Sequence, residues 1–481
     1  MNQNQTERFV VVDLDGTLIK SDVLLESLFL LARRHPETLV KLPFWLLQGR
    51  AVLKHKIAEW VRPDVSILPY RKEVLDLLRS AKEDGKKIVL ASASDDLVVS
   101  EVAAHLGIFD RVIASDGTRN LKGKTKLEEI LKITKGESFG YFGDSKSDLA
   151  IWEASNTAYV VTSGPKKILQ HLSKAGIPVV SVPAGTNPSL LFNAIRPHQW
   201  VKNVLVFLPL IMSHQFGNPK NYFLLLYAFC AMCLCASSVY LLNDLFDMEP
   251  DRRHHIKKNR VFAAGSVPVP LGLIASLLLA VAGVCLSLLV LPSTFTVVLL
   301  VYLGATFCYS MVLKGKLFAD IIGLALLYTL RILAGGEAVH VEVSAWLLTF
   351  SSFFFLSLAF VKRYVELQTH LNVPGTRLDG RNYGVGDIPI VLASGISSSY
   401  LSVLVFFLYI ANSKEVMQLY ARPKLLWLLG PVFVYWFGRI WFMAQRGKID
   451  SDPVMFALRD MPSRVIAGVC IAIVFVSAFL K

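Results

Sequence analysis

From Asn203 to the C-terminus the chain is a series of apolar runs, each closed by a short polar loop. They fall near 203–217, 221–242, 269–291, 293–312, 317–336, 343–361, 388–411, 424–443 and 464–480. All but the first, which is short, match a hydrocarbon layer roughly 30 Å thick. Within such a layer a helix is the segment that satisfies its own backbone. This part of the chain is therefore expected to be an all-α polytopic membrane domain of about nine transmembrane helices. Residues 1–190 instead mix charged and apolar positions, as a soluble domain does, although the 481-residue chain as a whole is 53% hydrophobic. Two domains follow from that break in composition. The expected boundaries are a soluble domain over 1–180, a linker with an interfacial helix over 181–202, and a membrane domain over 203–481.

Loop charge orients the helices. The N-terminus is polar and then strand-like, without the pattern of a signal peptide, so the first domain is expected in the cytoplasm. With that end inside, the inner loops carry Arg252, Arg253, Lys257, Lys258, Arg260, Lys314, Lys316, Lys362, Arg363, Arg377, Arg381, Arg446, Lys448 and Arg459. The outer loops carry Lys220, Lys414 and Arg422, with Lys424 at a span edge. This asymmetry obeys the positive-inside rule. It predicts a multi-pass protein of the inner (cytoplasmic) membrane, with its C-terminus outside. The net charge of +13 suits an anionic membrane face and phosphorylated substrates. Nucleic acid is not expected as a partner, since no nucleic-acid motif is present. The six cysteines all lie in apolar runs and read as small packing residues, not a disulfide framework. Large apolar surfaces permit a homo-oligomer.

The soluble half alternates strands and helices. Phe9–Val12, Lys87–Ala91, Arg111–Ala114, Phe139–Phe142 and Tyr159–Thr162 read as strands, and 22–82 as largely helical. That alternation implies a doubly wound, Rossmann-like α/β domain. The first strand runs directly into Asp13-Leu14-Asp15-Gly16-Thr17. This resembles the first motif of the haloacid-dehalogenase (HAD) superfamily, and three further motifs follow in that family's order over roughly residues 8–180. The resemblance implies that Asp13 attacks phosphorus and forms an aspartyl phosphate, while Asp15 serves as acid and then base. It implies that Ser92 holds the phosphate oxygens. Lys126, with Lys124 as the competing choice, balances their charge. Asp13, Asp15, Asp144 and Asp148, the last two in GDSKSD, are the implied Mg²⁺ ligands. The helical insert after the first motif corresponds to the family's substrate-selecting cap.

In the membrane half, Asn243-Asp244-Leu245-Phe246-Asp247-Met248-Glu249-Pro250-Asp251 closes the second run. Asp244, Asp247 and Asp251 would share one face of a continuous helix. Pro250 disfavours helix at Glu249, which allows Asp251 instead to lie on a loop that folds back. Three carboxylates at a membrane boundary are costly unless they hold divalent cations, which can bridge to a diphosphate. The basic run Arg252 to Arg260 follows at once and supplies partners for phosphate oxygens.

These features resemble the UbiA superfamily of intramembrane prenyltransferases, from about Arg196 to the C-terminus. NDxxDxxxD corresponds to its first Asp-rich motif. The second acidic region departs from the family pattern: Tyr309, Ser310, Leu313 and Lys314 are followed by Asp320 and Arg331, with no full DxxxD. Flanking residues are similar to decaprenyl-phosphate phosphoribosyltransferases. They are the entry motif Arg196-Pro197-His198-Gln199-Trp200-Val201-Lys202-Asn203, the series Asp251, Arg252, His254, Lys257 and Arg260, the stretch Lys362-Arg363-Tyr364-Val365-Glu366-Leu367, and Asp452-Pro453-Val454. That resemblance implies transfer of phosphoribose from phosphoribosyl diphosphate (PRPP) to a polyprenyl phosphate with loss of pyrophosphate. Asp244 and Asp247 would hold Mg²⁺. Asn243 and the basic run would meet the diphosphate, and Arg196, Lys202, Tyr309, Lys314, Arg331, Lys362 and Arg363 are candidates for the lipid or sugar phosphate. The HAD domain would hydrolyse a phosphate ester, such as the 5-phosphate of the product. The alternatives are prenyl transfer from a polyprenyl diphosphate to an aromatic acceptor, and a phosphatase for which the spans are only an anchor.

Overall fold

The computed structural model describes residues 7–162, 166–215, 217–369, 382–413, 416, 419–449 and 452–479. Arg377, Arg381 and Lys414, counted above among the loop cations, lie outside the described residues. By its internal contacts the chain divides into two compact units. One is Met1–Ile195 with Tyr240–Ser276, and the other is Arg196–Val239 with Leu277–Lys481.

In the first unit, β1 (Phe9–Val12), β2 (Lys87–Asp95), β3 (Arg111–Ser115), β4 (Phe139–Gly143), β5 (Thr157–Thr162) and β6 (Val179–Pro183) form one parallel sheet. Its strand order is β3-β2-β1-β4-β5-β6. Parallel strands need covered faces, and β1 shows how the sequence provides them. Val10 and Val12 face one core with Leu90, Val74 and Val98, whereas Phe9 and Val11 face the other with Val89, Ile130 and Trp152. The helices are α1 (Val23–Arg34), α2 (Leu42–Leu47), α3 (Arg50–Trp60), α4 (Lys72–Glu83), α5 (Asp96–Leu106), α6 (Lys124–Thr134), α7 (Leu149–Ala154), α8 (Lys166–Lys174) and α9 (Leu191–Ile195). Asp22 caps α1 by accepting the Leu25 N–H at 3.0 Å, which fixes where the insert begins. The sixth strand, Val179–Pro183, overlaps the start of the stretch 181–202 expected as a linker. Ala158 to Thr162 pair with Val179 to Pro183, so the first part of that stretch is a sheet edge. The chain order reverses about β1, and its carboxyl end opens onto the crevice where doubly wound sheets hold ligands.

Further helices are α10 (Leu208–Met212), α11 (Pro219–Phe246), α12 (Met248–Arg253), α13 (Val269–Val290), α14 (Ser293–Cys308), α15 (Ala319–Val339), α16 (Ala345–Gln368), α17 (Ile388–Asn412), α18 (Leu429–Gln445), α19 (Pro453–Arg459) and α20 (Met461–Phe479). Eight helices among the described residues are long and apolar enough to cross a membrane. The first expected run, 203–217, is not one of them. It lies instead in a 3₁₀ segment, Pro197–Phe207, followed by the short α10. Pro197 and Pro209 each lack a backbone donor, and Arg196 enters the segment in the left-handed region at φ 56°.

This 3₁₀ segment nevertheless runs antiparallel along α11. Trp200 Nε1 donates to Ser237 Oγ at 2.9 Å, and Asn203 Nδ2 to Cys233 Sγ at 3.2 Å. Three residues at about 2.0 Å and four at about 1.5 Å both advance roughly 6 Å, so the two elements stay in step. On the other side a Cβ on Gly335 of α15 would stand 2.0 Å from the Val206 carbonyl oxygen, so backbone lies directly on helix. Polar side chains within the helical unit pair with one another, as an apolar solvent demands. Ser357 and Ser399 share a 2.6 Å hydrogen bond, and Trp441 Nε1 donates to Ser399 Oγ at 3.0 Å.

Candidate functional site

Asp13 ends β1, and its Oδ1 accepts the Leu14 N–H at 2.8 Å. Its other oxygen lies 3.0 Å from Lys126 Nζ, which α6 delivers into the crevice and which is 3.9 Å from Asp148 Oδ1. Lys126 is buried, whereas the alternative Lys124 is exposed. Ligand atoms of Asp13, Asp144 and Asp148 all lie within 4.8 Å of one another, the one such trio found among the described residues. Three hard oxygen donors at that spacing suit a small divalent cation. Gly16 is held at φ 72°, and a Cβ there would stand 2.3 Å from Asp144 Oδ2, so the turn that brings Asp144 to Asp13 leaves no room for a side chain.

Asp15 does not join that trio. Its Oδ1 accepts the Val23 N–H at 2.8 Å and its Oδ2 the Ser94 hydroxyl at 2.6 Å. Burial, reinforced by Asp22, pushes its pKa up to about 8. Burial also raises Asp13, but Lys126 opposes the rise and leaves it at about 6. Burial and the neighbouring Asp13 raise Asp144 to about 7. Lys126 itself is held charged, because Asp13 and Asp148 outweigh the effect of its burial. At neutral pH one carboxyl is thus biased toward its acid form beside another biased toward its anion, the division of roles that acid-assisted nucleophilic chemistry needs.

Ser92 is buried in β2, where its Oγ accepts the Ser94 N–H at 3.0 Å. Ser94 itself was missed, although Ser92 and Ser94 share one face of a strand by period two. Tyr141 was missed as well. Its hydroxyl donates to Asp148 Oδ1 at 3.0 Å and accepts from Lys126 at 3.2 Å. A tyrosine two residues before the GDSKSD run, on a strand, is the available signal.

The Asp-rich segment belongs to the same compact unit. The helix breaks at Asp247, yet the backbone ladder continues: Asp247 N–H donates to the Asn243 carbonyl at 2.9 Å and Asp251 N–H to the Asp247 carbonyl at 2.8 Å. Asp251 therefore lies in α12 and not on a folded-back loop. Arg260 bridges Asp244 at 3.1 Å and Asp251 at 2.8 Å. Burial lifts Asp251 to about 6 despite that guanidinium. Arg33 of α1 donates to Asp247 Oδ1 at 3.0 Å and to the Phe246 carbonyl at 3.2 Å. Arg252 forms a two-pronged pair with the buried Glu26 of α1, at 2.7 and 2.6 Å, and donates to the Ala263 carbonyl. His254 Nδ1 accepts backbone N–H groups of Ile256 and Lys257, which shapes the basic turn. No residue pattern signalled Arg33 or Glu26, because both come from the soluble insert.

In the second unit, Lys202 pairs with Asp452, and Lys202 and Lys362 together hold the Asp452 carboxyl below the usual range against the effect of burial. Arg196, Lys202 and Arg459 all bear on His198, whose pKa burial lowers first. The entry motif, the Lys362 region and the Asp452 segment are thus brought together. Arg331 and Arg363, expected as phosphate ligands, are committed elsewhere. Arg331 donates to Asn203 Oδ1 at 2.8 Å and Tyr302 Oη at 2.8 Å, with its plane over Tyr302 and Tyr328. Arg363 pairs with Asp320, which also accepts the Tyr383 hydroxyl at 2.7 Å. A buried guanidinium needs partners for its charge and donors: Arg331 meets Asn203, Leu327 and Tyr302, and Arg363 meets Asp320 and Glu366, although its Nε has no partner. Tyr309 opens a π turn, Tyr309–Leu313, that Lys314 closes by donating its N–H to the Tyr309 carbonyl at 2.9 Å.

A parallel sheet with a crevice of three carboxylates and a lysine, in one chain with eight apolar helices and an Asp-rich segment, defines a membrane-embedded chain with a hydrolase-like domain. A family model described as the UbiA prenyltransferase family matches residues 204–459, and one described as haloacid dehalogenase-like hydrolase matches residues 10–153. The chain belongs to the UbiA prenyltransferase family and carries a HAD-like domain at its N-terminus. It is 37% identical over 472 residues to the uncharacterised protein y4nM of Sinorhizobium fredii (strain NGR234), covering 98% of this chain and 90% of that one. It is 34% identical over 290 residues to the nodulation protein NoeC of Azorhizobium caulinodans, covering 59% of this chain and 91% of NoeC. It is 35% identical over 202 residues to the decaprenyl-phosphate phosphoribosyltransferase of Mycolicibacterium smegmatis. That match spans 41% of this chain and 63% of the relative.

Proposed function

We propose that the membrane half transfers phosphoribose from PRPP to a polyprenyl phosphate at the cytoplasmic face, and that the HAD domain hydrolyses a phosphate ester. The observation that carries the transferase reading is the pairing of acids and bases around one segment. Within one unit Asp244, Asp247 and Asp251 lie beside Arg260 and the basic turn; within the other, and taken by itself, Asp452 gathers Lys202 and Lys362. The 35% identity to a phosphoribosyltransferase supports the choice of substrates.

In the transfer, an oxygen of the lipid phosphate bonds to the anomeric carbon, and the bond from that carbon to the diphosphate breaks, its electron pair leaving with pyrophosphate. Mg²⁺ held by Asp244, Asp247 and Asp251 would supply positive charge to the departing group. Arg260 and Lys257 would bind its oxygens, and Lys202 and Lys362 would orient the lipid phosphate. In the hydrolysis, Asp13 bonds to phosphorus while Asp15 gives its proton to the leaving oxygen; water then displaces Asp13 as Asp15 takes the proton back.

Purified protein incubated with PRPP, polyprenyl phosphate and Mg²⁺ should yield a lipid whose mass has gained a pentose or pentose phosphate. Absence of any lipid-linked pentose rejects the transferase reading. Asp244→Asn should remove only transfer, and Asp13→Asn only phosphate release. The second reading, prenyl transfer to an aromatic acceptor, is favoured by the family description. It requires consumption of polyprenyl diphosphate without PRPP.

A further inference from the structure

We propose that the HAD site takes its substrate from the bilayer, as a phosphomonoester carried on a lipid. This rests on the phosphatase half of the proposed function and names the substrate class of that site.

The crevice that holds Asp13, Asp15 and Lys126 opens into a cavity of about 660 Å³. That is within the roughly 300–1,000 Å³ of small-molecule sites and exceeds what a phosphate group fills. The cavity lining includes the cations Arg50, Lys54 and Lys122. Its apolar lining comes from Leu24, Leu46 and Leu53 of the insert and from Pro268-Val269-Pro270. Those last residues start α13, a span whose apolar stretch is only 17% buried within the protein. Its next turns show Ile274, Leu277 and Leu278 outward, as a lipid-facing helix does. The first turn of such a span sits at the edge of the hydrocarbon layer. The cavity wall is therefore continuous with the membrane surface.

Two contacts fix this wall to the soluble domain. The Asn187 N–H donates to the Ser266 carbonyl at 2.8 Å, and a Cβ on Gly265 would meet Lys20 Cβ at 2.6 Å. The insert presents a second apolar surface. No residue of α2 is buried, and Val40, Phe44 and Leu47 are 73%, 63% and 85% exposed. Such a patch is a liability in water but an anchor at an interface, the more so with Lys41 and Arg50 flanking it. Leu46 belongs both to α2 and to the cavity wall, so the patch and the site are one continuous surface. A soluble sugar phosphate would leave that wall wet. An amphiphile would place its phosphomonoester at Asp13 and its chain along Leu46 and Val269. The ester oxygen leaves with the proton of Asp15, and water completes the exchange, giving a lipid alcohol and inorganic phosphate.

The test uses the full chain in nanodiscs of phosphatidylcholine and phosphatidylglycerol, with Mg²⁺, and measures phosphate release from butyl phosphate and farnesyl phosphate. Asp13→Asn sets the background. The expected kcat/KM for farnesyl phosphate exceeds that for butyl phosphate at least tenfold, and the ratio falls at least fivefold in Leu47→Glu. Equal use of the two esters overturns the lipid assignment while leaving a phosphatase. Release from neither overturns both. The PRPP-dependent gain in lipid mass is scored separately and is untouched by either result.

Discussion

At the scale of single residues, the HAD site is set by close approach and burial. Gly16→Ala would place a methyl 2.3 Å from Asp144 Oδ2 at a φ of 72°. The left-handed backbone alone costs roughly 1–2 kcal/mol for a residue with a side chain, so phosphatase activity should be lost together with several degrees of thermal stability, read by differential scanning fluorimetry. The raised carboxyls give a second prediction. Asp13, Asp15 and Asp144 keep their protons to about 6, 8 and 7 in the fold, whereas unfolded aspartates lose theirs near about 3.9. An acid raised in the folded state favours the fold less and less as pH climbs from its unfolded to its folded pKa. Metal-free protein should therefore lose stability between about pH 4 and pH 8. Mg²⁺ should restore more of it at pH 8 than at pH 5, and an equal rise in melting temperature at both would contradict this account.

At the scale of elements, two helices behave differently from what their sequence suggests. The 3₁₀ segment Pro197–Phe207 and the short α10 stand where a span was expected, and α11 and Gly335 hold the segment in place. Gly335→Leu should displace it and lower the yield of folded protein, seen as loss of the monodisperse peak in detergent chromatography. The insert helix α1 meets the Asp-rich segment through Arg33, Arg34 and Glu26. Arg252→Ala would leave Glu26 buried without its partner, at a cost of about 3–5 kcal/mol. Proteolysis of the soluble domain should then set in at a lower temperature, and an unchanged onset would show the pair to be dispensable. Arg33→Ala removes a competitor for Asp247, so the Mg²⁺ concentration for half-maximal transfer should fall.

At the scale of the whole molecule, the legible part was periodic or local. Apolar runs of fixed length gave the helical half, β1 appeared with its observed ends, and Asp13, Lys126, Asp144 and Asp148, singled out by family order, lie together in the fold. Those signals persist in sequence because a bilayer fixes span length and because phosphate chemistry needs particular side chains near particular strand ends. Other features depend on distant partners. The edge strand β6 is only five residues long and runs straight into a Pro- and Gly-containing stretch, and its pairing with β5 marks it as a strand. Arg331 and Arg363 read as phosphate ligands from their positions, yet Asn203, Tyr302, Asp320 and Tyr383 claim them. Ser94, Tyr141, Arg33 and Glu26 enter the sites only when strands and insert are assembled. The sequence by itself determined which half would be lipid-embedded and which chemistries were available. The tertiary structure alone decided which group each buried charge meets, because a buried charge must be paired, and its partner is chosen by proximity in space.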